Sequence, residues 1–145
     1  MEDKDLTPKV VRTYYPTGKL REQYYEVNGL KERIFKRYRE NGNIQCSKIY
    51  VNGVLHGEAN EYLENGDIRV IANYVNGIVN GEYIKYNDNG NIWFVANYVN
   101  GTLNEEQKYY YINGLRLGEY KNYSDTGEIL RHQIYENGKL IQTIL

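Results

Sequence analysis

The sequence predicts an all-β fold: tandem antiparallel β-hairpin repeats joined in an elongated, twisted single-layer sheet of about 11–12 strands. Three observations lead there. Ten Asn-Gly dipeptides occur in 145 residues, and nine of them belong to a glycine ladder, Gly18, Gly29, Gly42, Gly53, Gly66, Gly77, Gly90, Gly101, Gly114, Gly127 and Gly138, with steps of 11 or 13 residues. Asn-Gly suits two-residue hairpin turns because both central residues tolerate φ > 0. The segments between glycines, such as 67–74 (DIRVIANY) and 91–98 (NIWFVANY), are rich in β-branched and aromatic residues, the composition of strands. Tyr supplies 17 residues against 2 Phe and 1 Trp, and a side chain with an apolar body and a wet tip suits a thin layer better than a thick sandwich.

The chain reads as one domain, 1–145: an N-terminal segment or cap over 1–11, hairpin repeats over 12–138, and a C-terminal edge strand over 139–145. Two kinds of turn alternate in a 24-residue period. Upper turns end on Gly18, Gly42, Gly66, Gly90 and Gly127, with Pro16 or the acids Glu40, Glu64, Asp88 and Asp125 two residues earlier. Lower turns are Asn28-Gly29, Asn52-Gly53, Asn76-Gly77, Asn100-Gly101 and Asn137-Gly138, and Gly57 or Gly81 follows two of them four residues on.

The strands descending from upper turns start with Leu20, Ile44, Ile68, Ile92 and Ile129. Steps of two from there reach Val70, Ala72 and Tyr74, then Phe94, Ala96 and Tyr98, which period two places on one face. Each rising strand carries a Tyr four residues before the upper glycine, Tyr14, Tyr38, Tyr62, Tyr86 and Tyr123. These tyrosines read as the core, stacked between repeats that cannot bury an apolar face alone. The opposite face should be polar, yet it holds Ile49 and Val51, then Ile71 and Val75, then Trp93, Val95 and Val99. A sheet apolar on both faces packs under another segment or presents a patch to a partner. Residues 6–11 could supply an internal cover; Ile49, Ile71, Trp93 and Val95 are the candidate partner-binding residues.

The period breaks once. From Gly90 to Gly127 is 37 residues, and Asn113-Gly114 has lower-turn character where an upper turn is due. The break near 102–118 leaves two alternatives, a single strand that flips the meander or a bulged piece that leaves the sheet.

Composition excludes several functions. With 18 Lys+Arg against 19 Asp+Glu and no basic run, the footprint of a nucleic-acid binder is missing. No apolar run is long enough to span a bilayer, and the polar N-terminus does not resemble a signal peptide. The lone Cys46 excludes an internal disulfide and a cysteine-based metal cluster. These features predict a cytoplasmic protein.

No catalytic, cofactor-binding or metal-ligating constellation is visible, and no enzyme is expected. His56 and His132 have no His or Cys at ligand spacing. His56 takes a slot held elsewhere by Asn80 and Asn104, which reads as a solvated loop position. Cys46 reads as a buried, inert thiol. Glu58, Glu82 and Glu119 recur beside the turn glycines, and recurrence suggests cross-strand pairing with Lys or Arg rather than catalysis.

The unit combining Gly57-Glu58, Tyr62, Asn65-Gly66, Ile68, Tyr74, Asn76-Gly77 and Gly81 resembles the MORN repeat, in the variant form of bacterial YwqK-type antitoxins and giant-virus proteins. The resemblance covers roughly residues 12–138; Arg33 and Glu105 depart from it, standing where the pattern has Gly, so the second and fifth units are expected to turn differently. It implies an elongated single-layer sheet and roles in scaffolding, dimerisation, membrane-lipid association or toxin neutralisation. With a viral source, which the Asn-, Ile-, Lys- and Tyr-rich composition also suits, the location would be the host cytoplasm. The resulting expectation is a protein–protein interaction or scaffold module with an unidentified protein partner, or a homodimer through an edge strand or apolar face. Toxin neutralisation and peripheral membrane-lipid binding are the alternatives, and balanced charge argues against the latter.

Overall fold

The structure, a computed structural model, describes residues 6–112, 115–124 and 126–145, and the side chains of these except 106–112 and 115–117. Twelve strands form one open antiparallel sheet in sequence order: β1 (Lys9–Tyr14), β2 (Leu20–Val27), β3 (Leu30–Tyr38), β4 (Ile44–Val51), β5 (Val54–Tyr62), β6 (Ile68–Val75), β7 (Ile78–Tyr86), β8 (Ile92–Val99), β9 (Thr102–Ile112), β10 (Leu115–Tyr123), β11 (Ile129–Glu136) and β12 (Lys139–Thr143). At about 4.8 Å per ladder spacing, the meander is roughly 50 Å across its strands. β1 and β12 are its free edges.

The two kinds of Asn-Gly turn are physically different. At the lower turns both residues are left-handed, as at Asn52 (φ 50°) and Gly53 (φ 80°), and the strands close directly with Val51 opposite Val54. That is the two-residue hairpin expected of Asn-Gly. At the upper turns only the glycine is left-handed, and the loop has three residues. Gly42 donates to the Arg39 carbonyl at 2.9 Å, and Arg39 donates to the Asn43 carbonyl at 2.7 Å. Asn41 instead uses its side chain, accepting the Asn43 N–H at 2.9 Å, as Asn commonly does in turns. The two-residue hairpin that Asn-Gly suits is therefore absent from the upper turns.

Each upper loop is followed by a bulge in the descending strand. Glu61 pairs with Val70, but the next pair is Tyr62 with Ile68, leaving Arg69 as an extra residue; Gln45 and Trp93 hold the same place in β4 and β8. An extra residue breaks strict alternation. Ile44, Ile68 and Ile92 consequently face Tyr38, Tyr62 and Tyr86 across the ladder and do not share a face with Cys46, Val70, Ala72 and Ala96. The ladder tyrosines are not the core, for Tyr14 is 56% exposed and the buried residues are Phe35, Cys46, Ala59, Val70, Ala72 and Ala96. The core is thin: small residues lie beneath neighbouring rings, with Ala59, Ala72 and Val70 beside Tyr74 and Tyr83 around one small cavity. Tyr83 meets Phe94 and Tyr98 edge-on at 6.1 and 6.0 Å between centroids, a favourable geometry.

A second class of bulge follows the lower turns. Gly57 (φ 113°) and Gly81 (φ 94°) occupy it, and Arg33 does so with φ 63°. The second unit thus turns like its neighbours despite lacking glycine. At β9 the slip in pairing is shorter, from Asn97–Glu105 to Tyr98–Leu103, and Glu105 is not left-handed, so the fifth unit does differ.

β9 is a single strand paired with β8 and β10, which selects the flipped meander over a segment leaving the sheet. The Asn113-Gly114 turn itself lies outside the described residues. Beyond it the loop types exchange ends: Ser124 and Gly127 reproduce the upper-loop bonding, with Gly127 donating to Ser124 at 2.9 Å, at the end of the sheet otherwise occupied by lower turns. Residues 9–11 belong to edge strand β1, paired with β2, and form no cover over either face. Leu6 is 69% exposed.

Successive hairpins are locked at the lower turns. Gly53, Gly77 and Gly101 donate to the carbonyls of Lys31, Leu55 and Val79 in the preceding hairpin, each at 2.8 Å. A Cβ on Gly101 would meet Ile78 Cγ2 at 2.9 Å. Gly101→Ala therefore combines left-handed strain with a clash and should cost more than about 1–2 kcal/mol in urea denaturation. Arg33→Gly should do the reverse, removing roughly 1 kcal/mol of strain and raising the urea midpoint.

Candidate functional site

Each face of the central strands presents a different surface. On the second face Ile34 lies opposite Ile49, and Ile71 is flanked by Ile84 and Asn60, with Ile84 in turn opposite Val95. Toward the lower turns the same face continues through the pairs Val51–Val54 and Val75–Ile78. Ile49 is 38% exposed, Ile34 40% and Ile78 51%, while Ile71 and Val95 are half-buried. Among the described residues no element packs over this face, since all twelve strands belong to the one sheet. Ile49 rests on Gly57, whose hydrogen-only side leaves room for it: a Cβ there would lie 3.4 Å from Ile49 Cβ.

Trp93 is not part of that surface. As the extra residue of the β8 bulge it turns to the first face, beside Phe94 at 5.8 Å between ring centroids. There the Lys85 ammonium lies 5.7 Å from the Trp93 ring, 5.5 Å from Tyr83 and 5.6 Å from Phe94. So the expected group Ile49, Ile71, Trp93, Val95 separates into three residues on one face and one on the other. Strict period two cannot detect this; the two-for-one bulge spacing can.

On the first face Trp93 closes a groove of about 400 Å³ that also contains Tyr83, Lys85, Arg69 and Glu61. A neighbouring groove of about 300 Å³ shares Arg69 and Glu61 and adds Arg37, Arg39 and Lys48. Arg37 is paired with Glu22 at 2.7 Å, and the hydrogen bond to that carboxylate raises its pKa. Arg39 donates to the Tyr62 carbonyl at 2.8 Å, while its Nε is buried without a partner. Among the described residues Lys48, Arg69 and Lys85 form no ion pair. This basic concentration has no repeating sequence signal: Arg37 and Lys85 share a repeat position that Glu61 holds between them, while Lys48 and Arg69 align with Ala72 and with Gln45 and Trp93. At the lower end of the same face, Lys31 lies over Phe35, Tyr24 and Tyr50 at 4.5, 5.1 and 5.4 Å.

The isolated polar candidates have structural roles. The exposed His56 is a stacking position rather than a free loop residue: its Nδ1 accepts the Asn76 N–H at 3.4 Å, Glu32 likewise accepts the Asn52 N–H at 2.7 Å, and Asn80 donates from its side chain to Asn100 Oδ1 at 3.2 Å. Of the recurrent carboxylates, Glu119 pairs with Lys121 of its own strand at 3.1 Å and with His132 of the next at 2.5 Å, not with the cross-strand Lys or Arg expected; Glu58 accepts a hydrogen bond from Asn60. Burial pushes the Glu119 pKa up, but the bonds from Lys121 and His132 outweigh it and hold the carboxyl below its ordinary value. Cys46 is buried, and that burial raises its thiol pKa. Among the described residues no three His, Cys, Asp or Glu side chains are placed to hold a metal, and no helix is long and apolar enough to cross a membrane.

A family profile described as the MORN repeat variant matches residues 9–26, 55–76 and 79–100. The matches fall on β1–β2, β5–β6 and β7–β8, hairpins closed by upper loops; the unmatched β3–β4 hairpin contains Arg33. Such repeats are generally associated with protein–protein or membrane-lipid interaction. No curated protein matches the chain.

Glu119 has a depressed folded pKa, so its contribution to stability is complete above the ordinary carboxylate value of 4.5 and is lost as pH falls through the folded value,. Glu119→Gln should accordingly lower stability at neutral pH and flatten the loss on acidification, measured as urea midpoints across the acid range. A raised, buried thiol reacts slowly. Cys46 should take up iodoacetamide at neutral pH only when the chain is unfolded.

Proposed function

We propose that this protein is a non-enzymatic interaction or scaffold module whose second face binds a partner protein through Ile49, Ile71 and Val95. The observation that carries this reading is an uncovered apolar face on a single-layer sheet, where Ile34, Ile49 and the valine row toward the lower turns remain open to solvent. Contiguous exposed apolar surface of this kind marks interaction sites. Family context supports interaction as the general role. A cytoplasmic setting, the host's if the source is viral, belongs to the same reading, as do kinship with the YwqK-type or giant-virus group and toxin neutralisation as one form of partner binding. Peripheral membrane-lipid binding is the alternative that the family context keeps open.

A second mode, self-association, has its own supporting observation. β12 is an edge strand whose only charge is Lys139, and Leu140, Ile141, Ile144 and Leu145 at and beyond it are each at least 50% exposed. The opposite edge, β1, carries Lys9 and Arg12, charges that discourage edge pairing. A second copy could add antiparallel at β12 and close an isologous dimer.

Ile49→Ser/Ile71→Ser should remain folded by circular dichroism and lose the partner that the unchanged protein retains on affinity purification from its native host, whereas Glu58→Gln should keep it. Retention of that partner by the double Ser variant overturns the face assignment. For self-association, light scattering coupled to size exclusion should report a dimer that Leu140→Lys/Ile141→Lys converts to monomer.

A further inference from the structure

We propose that the first face carries a separate docking site, in which an acidic, extended peptide segment of a partner protein lies across the basic–aromatic groove running from Arg37 to Trp93. The cations stand on successive parts of the sheet: Arg37 on β3, Lys48 on β4, Arg69 on β6 and Lys85 on β7, with Trp93 on β8. Four ladder spacings of about 4.8 Å separate β3 from β7, roughly 19 Å, which is the reach of about six extended residues at ~3.3 Å each. A single phosphate or carboxylate spans only a fraction of that distance. The ligand that matches is one whose negative charges repeat along a chain.

The groove also retains unused binding capacity. Arg39 spends one terminal nitrogen on the Tyr62 carbonyl, and among the described residues Lys48, Arg69 and Lys85 form no ion pair, so these cations have donors left for carboxylates. Lys85 is held over three rings, and those rings provide an apolar floor for the methylene groups of Glu side chains. The choice of peptide over polynucleotide rests on charge. Glu61 lies within both grooves and Asp88 lines one of them. A phosphate backbone holds its charges at fixed positions along the strand and would be repelled there, whereas the flexible Glu side chains of a peptide can turn away from Glu61 and Asp88 toward the cations. This site does not depend on the second-face reading, and either can fail alone.

Trp93 is the sole tryptophan and reports on the groove directly. The test titrates the full-length protein with an end-blocked hexaglutamate peptide, with hexalysine, a single-stranded hexathymidylate and inorganic phosphate as the other arms, following Trp93 emission. Hexaglutamate should produce a saturable change that weakens with added salt and is at least tenfold weaker in Arg69→Glu/Lys85→Glu. Lys139→Glu, on the distant edge strand, and Ile49→Ser/Ile71→Ser should leave it unchanged. If the double charge reversal unfolds by circular dichroism, Arg69→Gln at an exposed position carries the comparison. No saturable response to hexaglutamate, an undiminished response in the folded Arg69 variants, or equal or tighter binding of hexathymidylate or phosphate would each overturn the proposal.

Discussion

The structure depends on the lock between successive hairpins at the lower turns. Gly53, Gly77 and Gly101 each donate a backbone N–H to a carbonyl of the preceding hairpin at 2.8 Å, while Leu30, Val54 and Ile78 sit against the glycine α-carbons. Asn-Gly therefore has two tasks at these positions. Its left-handed pair closes the hairpin, and the missing Cβ admits the neighbour's apolar side chain. The contacts from Glu32, His56 and Asn80 to the next turn asparagine reinforce the same junction. At these three junctions each hairpin is seated on its predecessor, and the order of strands in space follows their order in the chain,.

A meander held this way has one layer, and one layer cannot surround a core. The protein meets that constraint with small residues beneath large rings: Ala59, Ala72 and Ala96 are buried, whereas the tyrosines around them, Tyr74 and Tyr83, remain partly exposed. Tyr15 shows the polar use of such a residue, donating from its hydroxyl to the Tyr38 carbonyl at 2.7 Å. The second face has no comparable arrangement. Its isoleucines and valines stay partly open, which makes the fold able to bind and leaves binding surfaces wherever the local sequence is apolar.

The bulge after each upper loop determines which chemistry reaches which face. One additional residue per descending strand turns Arg69 and Trp93 toward the core side and sends Ile68 and Ile92 to the other. Arg69 thereby joins Arg37, Lys48 and Lys85, which reach the same face by ordinary alternation, in one basic groove, while the chain as a whole stays near neutrality, with a net charge of -1. Local charge and total charge are different quantities here. Only the local one governs what a groove can hold.

Much of the fold was legible from residues 12–138 because the period, the turn glycines and the β-branched segments are local signals. The phase change was legible too: lower-turn character at Asn113-Gly114 located the break, and the pairing of β9 with β8 and β10 chose between its two readings. The face assignments of Ile49, Ile71 and Val95 survive because they lie away from the upper bulges, where alternation holds. Trp93 was misassigned because it is the bulge residue, and the basic groove was invisible because its members are far apart in sequence. Backbone preference and short-range pattern account for the turn positions, the hairpin meander as far as Gly101 and the apolar second face. The tertiary structure alone decided which residues meet on each face, because register across a ladder is a property of two strands, and a one-residue slip in either reverses the side to which a side chain points.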